Sequence, residues 1–305
     1  MTEGVTLERG DMSLATLQVQ KISGHAGPIP GLGTQREEQV SKLVDTTTCI
    51  GCKACEIACQ EWNDLPFVQT SFDNTYQTMP TTAWNFWNLI KFNEQPKADG
   101  GLMWLMRKDQ CMHCADPGCL TACPSDGAIV QYANGIVDFQ QDRCIGCGYC
   151  ITGCPFDIPK FNPATKKVYK CTLCSDRVSH GLEPACIKAC PTGCLRFGTK
   201  DDMKDLAQKR VAQLREHYGF KNAGIYDPPG VGGTGVIYVL HDTTHPEAYG
   251  GLPANPSIPW VVRLWKTPLK YLGNLAMLGG LVGVTLHYLR FGPKTVKTDK
   301  GEKRP

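Results

Sequence analysis

Cys144-Ile-Gly-Cys147-Gly-Tyr-Cys150-Ile-Thr-Gly-Cys154-Pro155 is the stretch of this 305-residue chain that decides its fold. It spaces four cysteines by two, two and three residues and follows the last of them with proline. Three other groups vary the same pattern: Cys49, Cys52, Cys55 and Cys59; Cys111, Cys114, Cys119 and Cys123; and Cys171, Cys174, Cys186 and Cys190. The chain has 17 cysteines, and all but one belong to these four groups.

The spacing within each group indicates ligands for iron–sulfur clusters. Three cysteines spaced by two residues can hold one face of a [4Fe-4S] cube from a single tight loop, and the fourth reaches the neighbouring cluster. A zinc site of four cysteines is the main alternative, but zinc has no use for a third and fourth cysteine at these spacings. Disulfides are the other alternative, and a chain of this length can form a core without them. The pattern therefore predicts four [4Fe-4S] clusters.

The distances between the groups predict which cysteines share a cluster. The two inner groups form a compact run of the size of a two-cluster ferredoxin, so the two outer groups are left to pair around it. Within each pair, the fourth cysteine of one group completes the other cluster. The predicted ligand sets are site 1 (Cys49, Cys52, Cys55 and Cys190), site 2 (Cys59, Cys171, Cys174 and Cys186), site 3 (Cys111, Cys114, Cys119 and Cys154) and site 4 (Cys123, Cys144, Cys147 and Cys150).

Cys194 is left over from the four groups. We predict a buried, inert thiol here, because free cysteine is among the most buried residue types; a fifth ligand is the alternative. His113 lies inside the second cysteine group, where it either tunes a cluster or only fills space.

Composition limits the other functions that the chain can have. With 42% hydrophobic and 20% charged residues it is globular rather than disordered. A net charge of +3 and a pI near 8.1 give no basic surface of the kind that binds nucleic acid. The sequence contains no nucleophile or acid–base constellation and no pterin or flavin motif, so we predict no catalytic residues.

Short strands and one longer helix are predicted around the cysteine groups. The predicted elements are strands at 84–92 and 102–106, a hairpin at 128–139 with a turn at Asn134-Gly135, looser strand patterns at 168–169 and 195–197, and a helix capped by Thr199 that ends near Tyr218. The glycine-rich segment 230–235 matches a dinucleotide-binding fingerprint. Because it precedes a strand rather than a helix, we interpret it as a turn.

The C-terminal fifth of the chain predicts a membrane span. Residues 271–289 carry no charge and would be about 28 Å long as a helix, against roughly 30 Å of hydrocarbon. Gly279 and Gly283 form a GxxxG face that would let a partner helix approach. A buried core helix is the alternative. His287 lies near the end of the span, and a haem or quinone role for it stays open.

Basic residues predict the orientation of this span. Three precede it (Arg263, Lys266 and Lys270) and six follow it (Arg290, Lys294, Lys297, Lys300, Lys303 and Arg304). Under the positive-inside rule the tail is cytoplasmic and the cysteine-rich part lies on the opposite, periplasmic side of the inner membrane. No signal peptide is recognisable, so we predict export in the folded state with a partner that carries a twin-arginine signal.

Together these features predict an α+β fold of tandem ferredoxin-like modules, each with two [4Fe-4S] clusters, and a single C-terminal transmembrane helix. The predicted segments are an extended arm (1–38), a four-cluster domain (39–198), a helix and strand extension (199–262), a transmembrane anchor (263–291) and a basic cytoplasmic tail (292–305).

Several motifs outside the cysteine spacing resemble the iron–sulfur β subunit of respiratory, membrane-bound formate dehydrogenases. They are Leu43-Val-Asp45, Thr48-Cys-Ile-Gly-Cys-Lys-Ala-Cys55, Glu61-Trp-Asn-Asp64, Arg107-Lys-Asp109, Cys111-Met-His-Cys114, Gln131-Tyr-Ala-Asn-Gly-Ile-Val-Asp-Phe139 and Gly230-Val-Gly-Gly-Thr234. With the single C-terminal span, the resemblance runs from about residue 40 to 290. The cysteine motifs alone fit a wider superfamily of iron–sulfur subunits. The glycine-rich segment and the span narrow the resemblance to the formate dehydrogenase subunits.

The resemblance implies a complex of three kinds of subunit. A molybdopterin α subunit with molybdenum or tungsten oxidises formate. The β subunit relays electrons through four [4Fe-4S] clusters, and a cytochrome b γ subunit, bound through the transmembrane helix within the lipid membrane, reduces quinone. The family's ligand sets agree with sites 1–4, whereas Cys194 stands where a small residue is expected. The alternative is the equivalent subunit of another membrane molybdopterin oxidoreductase or of a hydrogenase.

Overall fold

The computed structural model describes residues 38–97, 100–264, 269–292, 296–297 and 303–304. The chain divides into two units, the first ending at Pro259 and the second beginning at Trp260. The predicted arm lies outside the described residues except for Glu38, and so does most of the predicted tail.

The described part of the first unit combines short strands with short helices. In chain order these are β1 (Val40–Asp45), α1 (Ala54–Trp62), β2 (Leu89–Pro96), β3 (Leu102–Asp109), α2 (Gly118–Ala122), β4 (Ile129–Gln131), β5 (Val137–Phe139), α3 (Tyr149–Thr152), β6 (Lys160–Asn162), β7 (Lys167–Tyr169), α4 (Ser175–Val178), α5 (Ala185–Lys188), β8 (Leu195–Thr199), α6 (Lys200–Glu216), β9 (Gly224–Tyr226) and β10 (Val236–Leu240).

A four-stranded sheet in the order β8-β1-β10-β9 separates a helix layer from the cysteine loops. β1 is parallel to β10 and antiparallel to β8. Because side chains alternate along a strand, Leu43 packs in the cluster formed with α6, whereas Val44 packs with cysteine side chains on the other face. Lys42 points to this second face as well, since its Nζ donates a hydrogen bond to Cys186 Sγ. The sheet thus directs a buried cation at the cysteines.

Helix α6 covers the opposite face of the sheet, as the sequence predicts. The apolar cluster beneath it contains Leu43, Met203, Ala207, Val211, Leu214, Ala223, Ile237 and Val239. The predicted N-cap is confirmed, because Thr199 Oγ1 accepts a hydrogen bond from the backbone N–H of Asp202 at 3.2 Å. The helix ends at Glu216, two residues before the predicted end.

Replacing the cap by Thr199→Ala should destabilise α6 by about 1 kcal/mol, because the Asp202 N–H loses its acceptor. Hydrogen exchange in the first turn of α6 measures this as a lower free energy of local opening. Thr199→Ser, which keeps an acceptor oxygen, is the matched control. Equal opening energies for the two variants would show that the cap contributes nothing.

Three β-hairpins hold the loops that carry the cysteines. The predicted hairpin at 128–139 is confirmed as β4 and β5, with Ile129 opposite Phe139. In its turn, Gly135 adopts a φ of 87°, a conformation that glycine takes without strain. The strand pattern near 168 is β7, which pairs with β6, and β2 pairs with β3. The pattern at 195–197 is β8, which forms no hairpin but joins the edge of the four-stranded sheet.

The predicted strand at 84–92 is wrong in its first half, because β2 begins only at Leu89. Ala83 and Phe86 exchange two backbone hydrogen bonds of 2.9 and 3.1 Å, and Trp87 Nε1 donates to the carbonyl of Trp84 at 2.8 Å. These bonds close a turn, so the aromatic residues that suggest a strand here belong to that turn. β3 in turn extends three residues beyond the predicted end at Met106.

The glycine-rich segment forms a turn that leads into a strand, as predicted. Pro229–Val231 is one turn of 3-10 helix, Gly232 and Gly233 have φ values of 73° and 86°, and β10 follows at once. The dinucleotide-binding interpretation is therefore excluded, since that motif must open an α-helix.

The described residues of the second unit contain α7 (Trp260–Leu264), α8 (Lys270–Phe291) and two short paired strands, β11 (Val296–Lys297) and β12 (Lys303–Arg304). The segment Tyr271–Phe291 has 21 residues and a mean hydropathy of 1.4, and none of its most apolar window is buried. At 1.5 Å per residue it is about 32 Å long, which matches the hydrocarbon thickness of roughly 30 Å. By length and composition this helix can cross a membrane.

Candidate iron–sulfur sites

Site 3 is a cavity lined by all four of its predicted cysteines. Cys111, Cys114, Cys119 and Cys154 surround about 350 Å³ of space, part of it open to solvent, together with His113 and Lys170. The first two cysteines come from the loop after β3, the third from α2, and Cys154 follows α3. Burial, and then the thiols of the other three residues, raises the pKa of Cys114. Site 3 thus brings together cysteines of the second and third groups.

Site 4 is a cluster of thiols next to site 3. Burial, and then the neighbouring thiols of Cys123, Cys144 and Cys147, raises the pKa of Cys150 to about 12. The loop between these cysteines is tightly packed: Gly146 has a φ of 71°, and a Cβ there would stand 2.0 Å from the carbonyl oxygen of Lys166. Only glycine fits at this point, which explains the glycine inside the cysteine run.

Site 1 joins cysteines that are far apart in sequence. Its four predicted cysteines line one cavity of about 360 Å³, part of it open to solvent. Cys194 lines the same cavity and is 5% exposed, so its predicted burial is confirmed. Its Sγ lies 3.4 Å from that of Cys190. A hydrogen bond with Cys194 is the largest influence on Cys49 and lowers the pKa of that thiol to about 6.

Site 2 is a cavity bordered by buried polar side chains. Cys59, Cys171, Cys174 and Cys186 line about 290 Å³ together with two buried lysines, Lys42 and Lys108. Lys42 Nζ donates to Cys186 Sγ at 3.1 Å and to Gln110 Oε1 at 2.9 Å. Burial alone would raise the pKa of Cys186. The positive charge of Lys42 is the strongest of the influences that lower this pKa below its usual value.

The cysteines of sites 1–3 surround spaces rather than single points. Among the described residues, no three His, Cys, Asp or Glu side chains stand close enough together to hold one metal ion. A zinc ion would draw four sulfurs to about 2.3 Å from one centre. All 17 cysteines are free thiols. Four free thiols around one shared space therefore fit an inorganic cluster better than a single zinc ion or disulfides.

Burial makes these thiols hard to ionise without a positive partner. Burial raises the pKa of Cys55 to about 11, of Cys59 to about 12 and of Cys154 to about 11. A thiol must lose its proton to bind a metal, and nearby positive charge assists this loss alongside the metal itself. Three lysines at most 2% exposed supply it in the protein: Lys42, Lys108 and Lys170.

Lys170 places a buried positive charge beside site 3, as Lys42 does beside site 2. Its Nζ donates to the carbonyl oxygens of Val137 and Cys171 at 2.5 and 2.9 Å. Burial opposes the charge of Lys170, but the thiols of Cys111 and Cys119 raise its pKa above the usual value. Sequence reasoning missed these lysines. Nothing in the local sequence marks them, because Ser41 precedes Lys42 and Lys108 stands between two charged residues.

The glycine-rich segment holds the loop of site 3 in place. The backbone N–H of Gly235 donates to the carbonyl of His113 at 2.8 Å, and that of Ala115 donates to Gly233 at 2.9 Å. A Cβ at position 235 would stand 3.1 Å from His113. His113 is 2% exposed, and its Nδ1 accepts the N–H of Val137 at 3.1 Å. The segment therefore positions cysteines rather than a nucleotide.

Comparisons with known proteins agree with iron–sulfur clusters as the cofactor. Two family models described as 4Fe-4S dicluster domains match residues 48–127 and 102–200, which together contain all four cysteine groups. A third, described as "Formate dehydrogenase N, transmembrane", matches residues 258–300 and so includes α8. These matches support [4Fe-4S] clusters as cofactors, two tandem dicluster domains as the fold, and a single-pass membrane protein.

Three relatives match nearly the whole chain. The formate dehydrogenase iron-sulfur subunit of Haemophilus influenzae is 53% identical over 280 residues, which cover 91% of this chain and 89% of that protein. The formate dehydrogenase-O iron-sulfur subunit of Escherichia coli is 54% identical over 257 residues, covering 84% and 85%. The iron-sulfur subunit of the nitrate-inducible formate dehydrogenase of the same organism is 53% identical over 264 residues, covering 87% and 89%. The chain therefore belongs to the family of formate dehydrogenase iron–sulfur subunits.

Proposed function

We propose that the chain relays electrons from a formate-oxidising molybdopterin subunit, with molybdenum or tungsten, through four [4Fe-4S] clusters to a membrane cytochrome b subunit that reduces quinone. The observation that carries this proposal is the gathering of sixteen cysteines into four neighbouring sets, with no candidate catalytic group beside them in the described residues. The chain itself makes and breaks no bonds in substrate. It is the non-catalytic part of an oxidoreductase complex.

The sixteen cysteines of sites 1–4 are the proposed iron ligands. When bound, each cluster supplies a one-electron redox centre whose potential depends on hydrogen bonds to sulfur, on burial and on nearby charge. The residues of the chain supply those three influences. Cys186 and Cys111 are buried, Lys42 donates to Cys186, and the hairpins and the four-stranded sheet hold the loops in fixed positions.

The four sites form a continuous series, which is what an electron relay requires. Thiols of neighbouring sites interact in pairs: Cys55 with Cys186 between sites 1 and 2, Cys111 with Cys171 between sites 2 and 3, and Cys119 with Cys150 between sites 3 and 4. Because electron tunnelling weakens steeply with distance, neighbouring clusters must be close and fixed. Crossed ligation meets this need, since each pair of sites shares its loops.

The proposed placement puts the cluster domain in the periplasm and the tail in the cytoplasm. It rests on the six basic residues that follow the uncharged segment 271–289 against the three that precede this segment. The proposed segments are the arm (1–38), the cluster domain (39–198), the extension (199–262), the anchor (263–291) and the tail (292–305). Protease digestion from the cytoplasmic side should remove the tail only; digestion of the cluster domain from that side would refute the placement.

Helix α8 is the proposed contact with the cytochrome b subunit. Gly279 and Gly283 have nothing within 4 Å of the position that a Cβ would take. A larger side chain at either position therefore meets no atom of this chain. It would clash only with a partner helix that packs against this face.

We expect Gly283→Leu to lower the amount of b haem that co-purifies with the chain several-fold, while its iron content stays unchanged. Gly273→Leu is the matched control, because Gly273 has equal free space but lies on another side of the helix. Haem per chain, measured by absorbance after affinity purification, checks this. Unchanged haem in the Gly283 variant would rule out a GxxxG contact.

The proposal as a whole is tested by purifying the complex through a tag on this chain. A molybdopterin subunit and b haem should co-purify, and added formate should reduce the clusters. Reduction by hydrogen, or by the substrate of a different molybdopterin enzyme, and not by formate, would contradict the proposal and favour the alternative kinds of complex.

A further inference from the structure

Lys108 is a buried cation shared by two of the sites. Its side chain lines the cavity of site 1 and also the cavity of site 2. It is 1% exposed, and its Nζ is buried without a hydrogen-bond partner among the described residues. Lys42 and Lys170 differ in this respect, because each donates hydrogen bonds within the protein. All three N–H donors of the Lys108 ammonium group are therefore available to a group bound in either cavity.

The backbone fixes the direction in which Lys108 points. In the hairpin of β2 and β3 it lies opposite Ile90, and its carbonyl accepts a hydrogen bond from the Tyr238 hydroxyl at 2.8 Å. The residues on either side of it, Arg107 and Asp109, form an ion pair of 2.8 Å with each other. Because neighbours in a strand point to opposite faces, that ion pair is turned away from Lys108 and cannot balance its charge.

Thiols of both sites face this ammonium group, and one carboxyl does as well. Cys55 lines the cavity of site 1 and Cys59 lines that of site 2, and the Lys108 side chain lines both cavities. Glu56 also interacts with Lys108, but its Oε1 accepts the backbone N–H of Ile90 at 2.6 Å. An unpaired buried cation is strongly unfavourable. The cysteine sulfurs around the two cavities are the groups that remain to balance it.

We propose that Lys108 is a positioning residue common to sites 1 and 2, whose ammonium group stabilises the added electron on both clusters and so raises both reduction potentials. The argument rests on the proposed assignment of clusters to these two sites. A positive charge close to a cluster favours its reduced, more negative form. Because one side chain borders both cavities, its removal should act on two of the four clusters and leave the other two unchanged.

Redox titration of the complete complex, followed by electron paramagnetic resonance, tests this with Lys108→Met. We expect the reduction equilibrium constants of two clusters to fall at least about tenfold, equal to about 59 mV for one electron. Lys53→Met is the matched control. Lys53 also lines site 1, but it is partly exposed and donates to the Tyr76 carbonyl at 2.7 Å, so solvent should screen its charge and the potentials should stay near their original values.

Full iron content with unchanged potentials in Lys108→Met, or a shift confined to one cluster, would overturn the proposal. If Lys108→Met loses iron, Lys108→Arg is measured instead, because arginine keeps the positive charge. Retained iron and near-original potentials in Lys108→Arg support the proposal, whereas loss of iron there refutes it. Absence of clusters from sites 1 and 2 in the unaltered chain would refute the proposed function instead.

Discussion

Replacing Cys147 by alanine is expected to empty site 4 and to stop electron flow to quinone. Iron should fall from about sixteen to about twelve atoms per chain, since a [4Fe-4S] cluster contains four. Formate-dependent quinone reduction should fall roughly a hundredfold or more, because losing a ligand costs at least as much as losing its supporting groups. Reduction of an artificial dye by the catalytic subunit should continue. Cys147 is exposed, so little packing is lost with its sulfur.

Cys194→Ala is the control for this experiment. Cys194 is buried beside site 1 but belongs to none of the four predicted sets. It should keep about sixteen irons and most of the quinone reductase activity. Two results would contradict the ligand assignment: loss of iron in the Cys194 variant, or full iron and activity in the Cys147 variant.

Deleting Tyr271–Phe291 is expected to release the cluster domain from the membrane. This segment is the one stretch of the described residues that is long and apolar enough to span a bilayer. Without it the chain should appear in the soluble fraction after cell breakage, with its iron retained, because α8 belongs to a separate unit from the cysteine loops. Quinone reduction should be lost, since the clusters no longer reach the cytochrome.

A variant with leucine throughout residues 271–289 separates anchoring from recognition. It keeps the apolar length, so we expect membrane attachment to return. It also removes Gly279 and Gly283, so the content of b haem should stay low. Membrane attachment of the deletion variant at the original level would contradict the anchor, and full haem content in the leucine variant would contradict the helix contact.

The four cysteine sets could be predicted because ligand geometry is mostly local. Three ligands of each predicted site come from one short stretch, and the loop of site 4 requires glycine at Gly146, where a Cβ would collide with Lys166. The cysteines of each of sites 1–3 line one cavity, and those of site 4 are close enough to influence the pKa of Cys150. Ligation of iron by these sixteen residues stays a prediction.

The buried cations could not be predicted, because they depend on contacts between distant parts of the chain. Lys42 reaches Cys186 across 144 positions of sequence, and it does so only because β1 lies between β8 and β10. That parallel pairing of β1 with β10 leaves no periodic signal in either strand. Similarly, nothing local distinguishes Lys108 in Arg107-Lys-Asp109 from a surface lysine, although it borders two cavities.

The misplaced start of β2 has a different cause. Aromatic residues at 84–87 favour a strand by propensity, yet propensity mainly reflects packing on a sheet. Here Trp87 instead donates to Trp84 within a turn. For the glycine-rich segment, by contrast, the sequence pattern predicts the structure correctly. Its residues match a dinucleotide-binding motif, but the strand pattern that follows them in the sequence excludes that interpretation.

The iron and acid-labile sulfide content of the anaerobically purified complex, measured together with its paramagnetic spectrum on reduction, tests the central claim most directly. Four [4Fe-4S] clusters predict about sixteen iron and sixteen sulfide atoms per copy of this chain, after correction for the partners' own metal, and signals from interacting reduced clusters. About four irons or fewer, bound zinc in their place, or no paramagnetic signal on reduction would contradict the account.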